Sequence, residues 1–219
     1  MLINMKAVIF DWDGTIIKSR RANFHAFKKL HDELNLNSVF TMKEFLDWYS
    51  PNWYMIYEKM GIPEEEWPRA NELWRKSYPH NRSRLSSNSA RILANLKSRR
   101  FKIGLVTSGH EERVVSELKR KGILKIFDVV ICGDHVPIEE QKPSPRQIIL
   151  ALKRLNIKPK DAVYVGDTSF DVLAGKNAGV KTVALAGGLH PVGKLRNSNP
   201  DLLVHDWNEL ENKIEEIWM

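Results

Sequence analysis

Five short apolar runs limit what this chain can fold into. Ala7-Val8-Ile9-Phe10, Ile103-Gly104-Leu105-Val106, Val129-Val130-Ile131-Cys132, Ala162-Val163-Tyr164-Val165 and Thr182-Val183-Ala184-Leu185 are rich in β-branched residues and apolar almost throughout. A strand with one wet face alternates apolar and polar residues, whereas a strand covered on both faces does not. Helical stretches near 110–121, 145–155 and 169–177 separate the later runs, and a weaker strand at Leu202-Leu203-Val204 precedes a helix from about Trp207. Strands and helices in alternation give parallel βαβ units, so an α/β fold with a Rossmann-like parallel sheet core is expected.

The interval between the first two runs differs. Residues 16–85 contain no convincing strand and several helix signals. Phe24, Phe27, Leu30 and Leu34 share one face of a helix starting near Ser19. Thr41-Met42-Lys43-Glu44 reads as a capping box, and Ser50-Pro51 as an N-cap followed by proline at the first helical position. Gly61 is a helix stop, and Pro63 followed by Glu64, Glu65 and Glu66 opens another helix. The expected organisation is a core of residues 1–15 and 86–219, with an all-helical domain of residues 16–85 inserted after the first strand. That insert holds 12 of the 20 aromatic residues. Filling the core of a small helical bundle explains them better than an aromatic binding face.

Composition narrows the function. A single cysteine, Cys132, excludes an intramolecular disulfide framework and a CxxC zinc knuckle. The seven histidines show no HxH or HxxxH pairing, which disfavours zinc. No apolar run approaches a membrane span, and the start lacks the apolar segment of a signal peptide, so a cytoplasmic setting is expected. The net charge of +7 is nearly matched by residues 97–125, where nine Lys/Arg face three Glu. Much of that excess sits at helix ends, as in Lys119-Arg120-Lys121-Gly122, where cations favour the dipole and glycine stops the helix. With no aromatic-interleaved basic stripe, a nucleic-acid partner is not expected. Nothing in the sequence specifies an oligomeric state.

Chemistry gathers behind the strands. Asp11-Trp12-Asp13-Gly14-Thr15 follows the first run, and two carboxylates this close are costly in a dry site without a cation. Thr107-Ser108-Gly109 follows the second and offers hydroxyls and N–H groups at what reads as a helix N-terminus. Lys142-Pro143 follows the third, and Gly166-Asp167-Thr168-Ser169-Phe170-Asp171 the fourth. Asp167 could cap the helix behind it and do nothing else. In open α/β sheets the carboxyl ends of the strands are where ligands bind. Four carboxylates, Asp11, Asp13, Asp167 and Asp171, with Lys142 among them, suit a hard cation such as Mg²⁺ with a phosphate group.

The order DWDGT, VTSG, QKPSP and GDTSFD resembles the haloacid dehalogenase superfamily, specifically phosphatases with a helical cap, over nearly the whole chain. The resemblance implies a Mg²⁺-dependent hydrolase of small phosphomonoesters. Asp11 would be the nucleophile, forming an aspartyl-phosphate, and Asp13 the general acid and base, its backbone carbonyl also reaching the metal. Thr107, Ser108, Gly109 and Lys142 would hold the phosphate, Asp167 would bind Mg²⁺, and Asp171 would support it. A phosphoglycolate-type phosphatase is the first reading and a mutase resembling β-phosphoglucomutase the second. The second acid, Asp13, speaks against a dehalogenase, whose halide leaves without protonation. Arg20, Arg21, Asn23, His25 and Trp53 are candidate specificity contacts in the insert.

Overall fold

The runs of apolar residues become parallel strands of a single sheet. The computed structural model describes residues 5–37, 39–79 and 83–218. Residues 1–4, part of the segment read for a signal peptide, lie outside the described residues, as do 38 and 80–82 of the insert. Two compact units emerge, one of residues up to Lys18 and from Leu85 onward, the other of Ser19–Arg84.

The larger unit begins with β1 (Ala7–Phe10) and a two-residue strand β2 (Ile17–Lys18). The smaller unit supplies α1 (Arg20–Glu33), α2 (Met42–Trp48), α3 (Tyr54–Lys59) and α4 (Trp67–Ser77), and β3 (Arg84–Leu85) spans the boundary. The larger unit resumes with α5 (Ser89–Ser98), β4 (Lys102–Val106), α6 (Glu111–Arg120), β5 (Val129–Ile131) and α7 (Arg146–Leu155). It closes with β6 (Ala162–Gly166), α8 (Ser169–Asn177), β7 (Lys181–Leu185), α9 (Val192–Asn197), β8 (Leu202–Val204) and α10 (Trp207–Lys213). The main sheet has the order β5-β4-β1-β6-β7-β8, every pair parallel. The chain winds outward from β1 to one edge, then returns to build the other half, which is the doubly wound α/β arrangement.

Alternate residues serve alternate faces, as the pleat requires. Val8, Phe10, Ile103, Leu105, Val163 and Val165 pack with Ile92 and Leu96 of α5, Val114 and Leu118 of α6, and Trp207 and Leu210 of α10. Ala7, Ile9, Ile131 and Tyr164 pack on the other face with Ile148, Ala151 and Leu152 of α7 and Ala174 of α8. Both faces are dry, which accounts for the continuous apolar runs. Among the described residues no helix is long and apolar enough to cross a membrane.

In the smaller unit, Phe27 packs against Phe45, Trp74 and Tyr57 with ring centroids 5.7, 6.0 and 6.2 Å away. The rings fill a core, as bundle packing requires. The buried stripe of α1 runs through Ala22, Asn23, Ala26, Phe27, Leu30 and His31, with Phe24 and Leu34 at its margins. Asn23 is buried there and donates to the Ser19 carbonyl, while Arg21 and His25 are exposed. Thr41 forms the expected capping box with Glu44.

Three local expectations need correction. Ser50 does not cap a helix: its hydroxyl accepts from the Asn52 amide, a side-chain turn that delays α3 to Tyr54. The acidic run Glu64–Glu66 forms a 3₁₀ turn, and α4 starts at Trp67 with Pro68 in its first turn. The insert region also contains strand after all, in β2 and β3, which pair as a two-stranded sheet. Two chain segments crossing side by side leave backbone groups to satisfy. The Ser86 amide donates to the Ile16 carbonyl at 2.8 Å and its hydroxyl to the Thr15 carbonyl at 2.8 Å.

Candidate active site

β1 lies between β4 and β6, with Phe10 in register with both Leu105 and Val165. The Asp11 amide extends that pairing by donating to the Val165 carbonyl at 2.9 Å, so Asp11 leaves the sheet beside Gly166 and Asp167. The Thr107 amide likewise donates to the Ile131 carbonyl at 3.0 Å. The loops after these strands therefore open at the point where strand order reverses around β1, the crevice where doubly wound sheets bind ligands. Gly14 has φ +85°, and a β-carbon there would fall inside the Asp167 carboxylate, so the turn after β1 needs glycine.

One ammonium sits among three buried carboxylates. Lys142 Nζ donates to Asp11 Oδ1 at 2.6 Å and to Asp171 Oδ1 at 2.7 Å. Burial opposes its charge, but Asp11 and Asp171 more than offset that and hold it well above the usual lysine range. For Asp11 the balance reverses. Burial outweighs Lys142 and, with Asp171 and Asp13 nearby, pushes the carboxyl up to about 7. Burial also acts on Asp171, yet Lys142 and the Thr168 hydroxyl and amide overcome it and leave this group below its ordinary value. Asp167 is pushed well above the carboxylate range by burial and by the charges of Asp11 and Asp171. Its Oδ1 accepts from Thr15 Oγ1 at 2.9 Å and its Oδ2 from the Leu189 amide.

Asp167 does not cap α8. Thr168 does, in a reciprocal box with Asp171: the Thr168 amide and hydroxyl donate to Asp171 Oδ2 at 2.9 and 2.6 Å. Both Asp171 oxygens are thereby engaged. Asp11 Oδ2 accepts no hydrogen bond from the described residues. The loop Thr107–Gly109 precedes α6 instead of forming its first turn, because His110 is the N-cap and Glu111 and Glu112 open the helix. Thr107 Oγ1 accepts from the Gly109 amide at 3.0 Å, leaving the threonine's own proton for another oxygen and the glycine amide already used. Ser108 Oγ is buried with no hydrogen-bond partner among the described residues.

Asp13 stands apart from the other three acids. Its carboxylate faces Arg113 of α6, with Oδ2 2.5 Å from Nη2 and Oδ1 3.3 Å from Nη1. Glu117, one turn on, lies 3.4 Å from Arg113 Nη1 and accepts from Trp12 Nε1 at 2.8 Å. Neither Arg113 nor Glu117 stands out in the sequence, since a basic helix reads as a solvated surface. The available signal was position: Arg113 and Glu117 share a face with Val114 and Leu118, so an i,i+4 charge pair lies in the apolar stripe.

The residues present fit a hard cation. One oxygen from each of Asp11, Asp167 and Asp171 lies within 4.8 Å of the others. Three carboxylates against one ammonium leave negative charge that protons or a metal must balance. The donors are all carboxylate oxygens, the set preferred by Mg²⁺. Of the three, Asp11 is the one that keeps an oxygen, Oδ2, with no hydrogen bond from the described residues, whereas both oxygens of Asp167 and of Asp171 accept hydrogen bonds.

Comparison with known proteins agrees with this architecture. The family described as haloacid dehalogenase-like hydrolase matches residues 8–185. The pyrophosphatase PpaX of Bacillus velezensis is 30% identical over 207 residues, covering 93% of this chain and 94% of its own. A hydrolase from Pseudomonas syringae is similar in structure with a TM-score of 0.86 at 22% identity, over 98% of this chain and 100% of the other. β-Phosphoglucomutase from Clostridium difficile gives a TM-score of 0.80 at 23% identity, over 98% and 97% of the two chains. At those identities the two structures speak to the fold alone. The matched family spans β1 to β7 with every motif between them, and so the chain belongs to the haloacid dehalogenase-like hydrolases.

Proposed function

We propose that the chain hydrolyses small phosphorylated molecules, with Asp11 as nucleophile, Asp13 as acid and base, and Mg²⁺ as cofactor. The observation that carries this reading is the Lys142 bridge, which pins Asp11 Oδ1 and leaves Oδ2 without a hydrogen bond from the described residues. Asp11, Asp167 and the backbone carbonyl of Asp13 would hold the metal, with Asp171 steadying Lys142. When bound, Mg²⁺ supplies positive charge against the phosphoryl oxygens.

The chain's own groups account for the rest. Lys142 and the hydroxyls of Thr107 and Ser108 would hold the phosphoryl oxygens, which gives the orphaned Ser108 proton an acceptor. Asp11 Oδ2 attacks phosphorus as the bond to the leaving oxygen breaks, and Asp13 delivers a proton to that oxygen. Water then attacks phosphorus in the aspartyl-phosphate, Asp13 takes its proton, and Asp11 is released. Phosphoryl transfer depends mainly on placement and charge neutralisation, which this site is arranged to supply.

The whole-length relative named as a pyrophosphatase makes inorganic diphosphate the first substrate to test, with phosphoglycolate next. The mutase reading is the weaker one. Relatives of that type often carry an acidic residue where this chain has Gly166, and a β-carbon there would overlap the pinned Asp171 side chain. The test is phosphate release from diphosphate, phosphoglycolate and other monoesters, with Mg²⁺ or EDTA, by the parent and Asp11→Asn. Activity is expected only from the parent with metal. Turnover by Asp11→Asn would overturn the reading.

A further inference from the structure

We infer that Arg113 is a positioning residue for the acid–base step, holding the Asp13 carboxylate through a closed circuit of buried side chains. The inference rests on the reading of Asp13 as acid and base. Arg113 and Glu117, one helical turn apart on α6, bind two consecutive residues of the loop after β1. Arg113 takes the Asp13 carboxylate, and Glu117 takes the Trp12 indole N–H at 2.8 Å. Arg113 Nη1 lies 3.4 Å from Glu117 Oε2, so the circuit Trp12–Glu117–Arg113–Asp13 returns to its starting backbone. Its members are buried or nearly so, with side-chain exposures of 7% for Arg113, 12% for Asp13 and 1% for Glu117.

Gly109 belongs to the same construction. A β-carbon at 109 would collide with the Arg113 guanidinium, so the loop carrying Thr107 and Ser108 needs glycine to let the arginine reach Asp13. A single guanidinium thus touches both the acid–base group and the backbone of the loop proposed to hold phosphate. The two contacts to Asp13 are unequal. Oδ2, at 2.5 Å, is the more tightly held oxygen, and Oδ1, at 3.3 Å, is the more loosely held one, to which we assign proton exchange with the leaving oxygen and later with water. Fixing a reacting group to within about 1 Å is worth on the order of 100-fold in rate, and a buried bidentate pair held by a second carboxylate is a means of doing so.

The test compares p-nitrophenyl phosphate, whose leaving group needs little protonation, with phenyl phosphate, whose leaving group needs more. Arg113→Gln is expected to lower kcat on phenyl phosphate by about 100-fold and on p-nitrophenyl phosphate by less than about tenfold, with KM nearly unchanged on both. Arg113→Lys should recover part of the loss, since an ammonium can still meet Oδ2. Glu117→Gln retains an acceptor for Trp12 while loosening Arg113, and should show the same selectivity more weakly. These two variants carry the test if Arg113→Gln does not fold. Adding Arg113→Gln to Asp13→Asn should bring no further loss of selectivity. Equal losses on both substrates, a rise in KM without a fall in kcat, or unchanged kinetics would overturn the inference. Asp13→Asn separates the two levels. If it shows no selectivity between the substrates, the acid–base reading itself falls. If it does and Arg113→Gln does not, only the positioning role falls.

Discussion

Lys142 and Asp11 are joined by a 2.6 Å hydrogen bond from Nζ to Oδ1 that leaves Asp11 Oδ2 unengaged among the described residues. The same ammonium also neutralises Asp171, so removing it would leave two buried carboxylates facing one another. Stripping one partner from a buried ion pair costs about 3–5 kcal/mol. Lys142→Met should lose stability of that order in metal-free chemical denaturation at pH 8, as well as turnover. A variant as stable as the parent would show that Lys142 does not balance the buried charge.

The metal-free fold should weaken as pH rises. Asp11, at about 7 in the fold against an ordinary 3.8, contributes stability that is full below 3.8 and lost as pH rises through about 7. Asp167, also raised, acts in the same sense. Asp171 is lowered, so its contribution disappears only in acid, below its ordinary value, and stays constant from pH 6 to 8. A divalent cation takes the place of the protons, so the rise in Tm on adding Mg²⁺ should be larger at pH 8 than at pH 6. Thermal melts at the two pH values, with MgCl₂ or EDTA, measure it. An equal or smaller rise at pH 8 would count against a metal on these carboxylates.

Asp13→Asn keeps the shape of the side chain and removes the exchangeable proton. General acid–base catalysis is worth about 10²–10⁴-fold, and the loss should fall on substrates with poor leaving groups. Steady-state kinetics across a series of aryl phosphates should therefore show a steeper dependence on leaving-group acidity in the variant than in the parent.

Ser108→Ala discriminates between a structural and a ligand-facing hydroxyl. Ser108 Oγ is buried without a partner among the described residues, so removing it should leave the Tm unchanged or slightly higher. A lost hydrogen bond to a charged oxygen is worth about 1.5–3 kcal/mol, which corresponds to a rise in KM of roughly 10- to 150-fold. An unchanged KM would place the hydroxyl outside the phosphate site.

The sheet was readable because strands covered on both faces leave no polar interruptions, whereas the cap offered for α8 was Asp167 and the one formed is Thr168, one residue on, with Asp171. The order of motifs placed Asp11, Thr107 and Asp167 at strand ends and Lys142 in the connection after β5, since parallel strands all present the same end. Arg113 was not readable in this way: its partner Asp13 is 100 residues distant, and its charge merged with the basic run of residues 97–125. The start of α3 was misplaced for a local reason, because a serine that can cap a helix can equally close a turn, and Ser50 does the latter.

The most direct measurement is the mass of the peptide containing Asp11 after acid quench during turnover of diphosphate or a phosphomonoester with Mg²⁺. A peptide heavier by one phosphoryl group, absent in Asp11→Asn, is the expected result. Steady turnover with no phosphoryl group on Asp11, or with the group on another residue, would contradict the assignment of Asp11 as nucleophile.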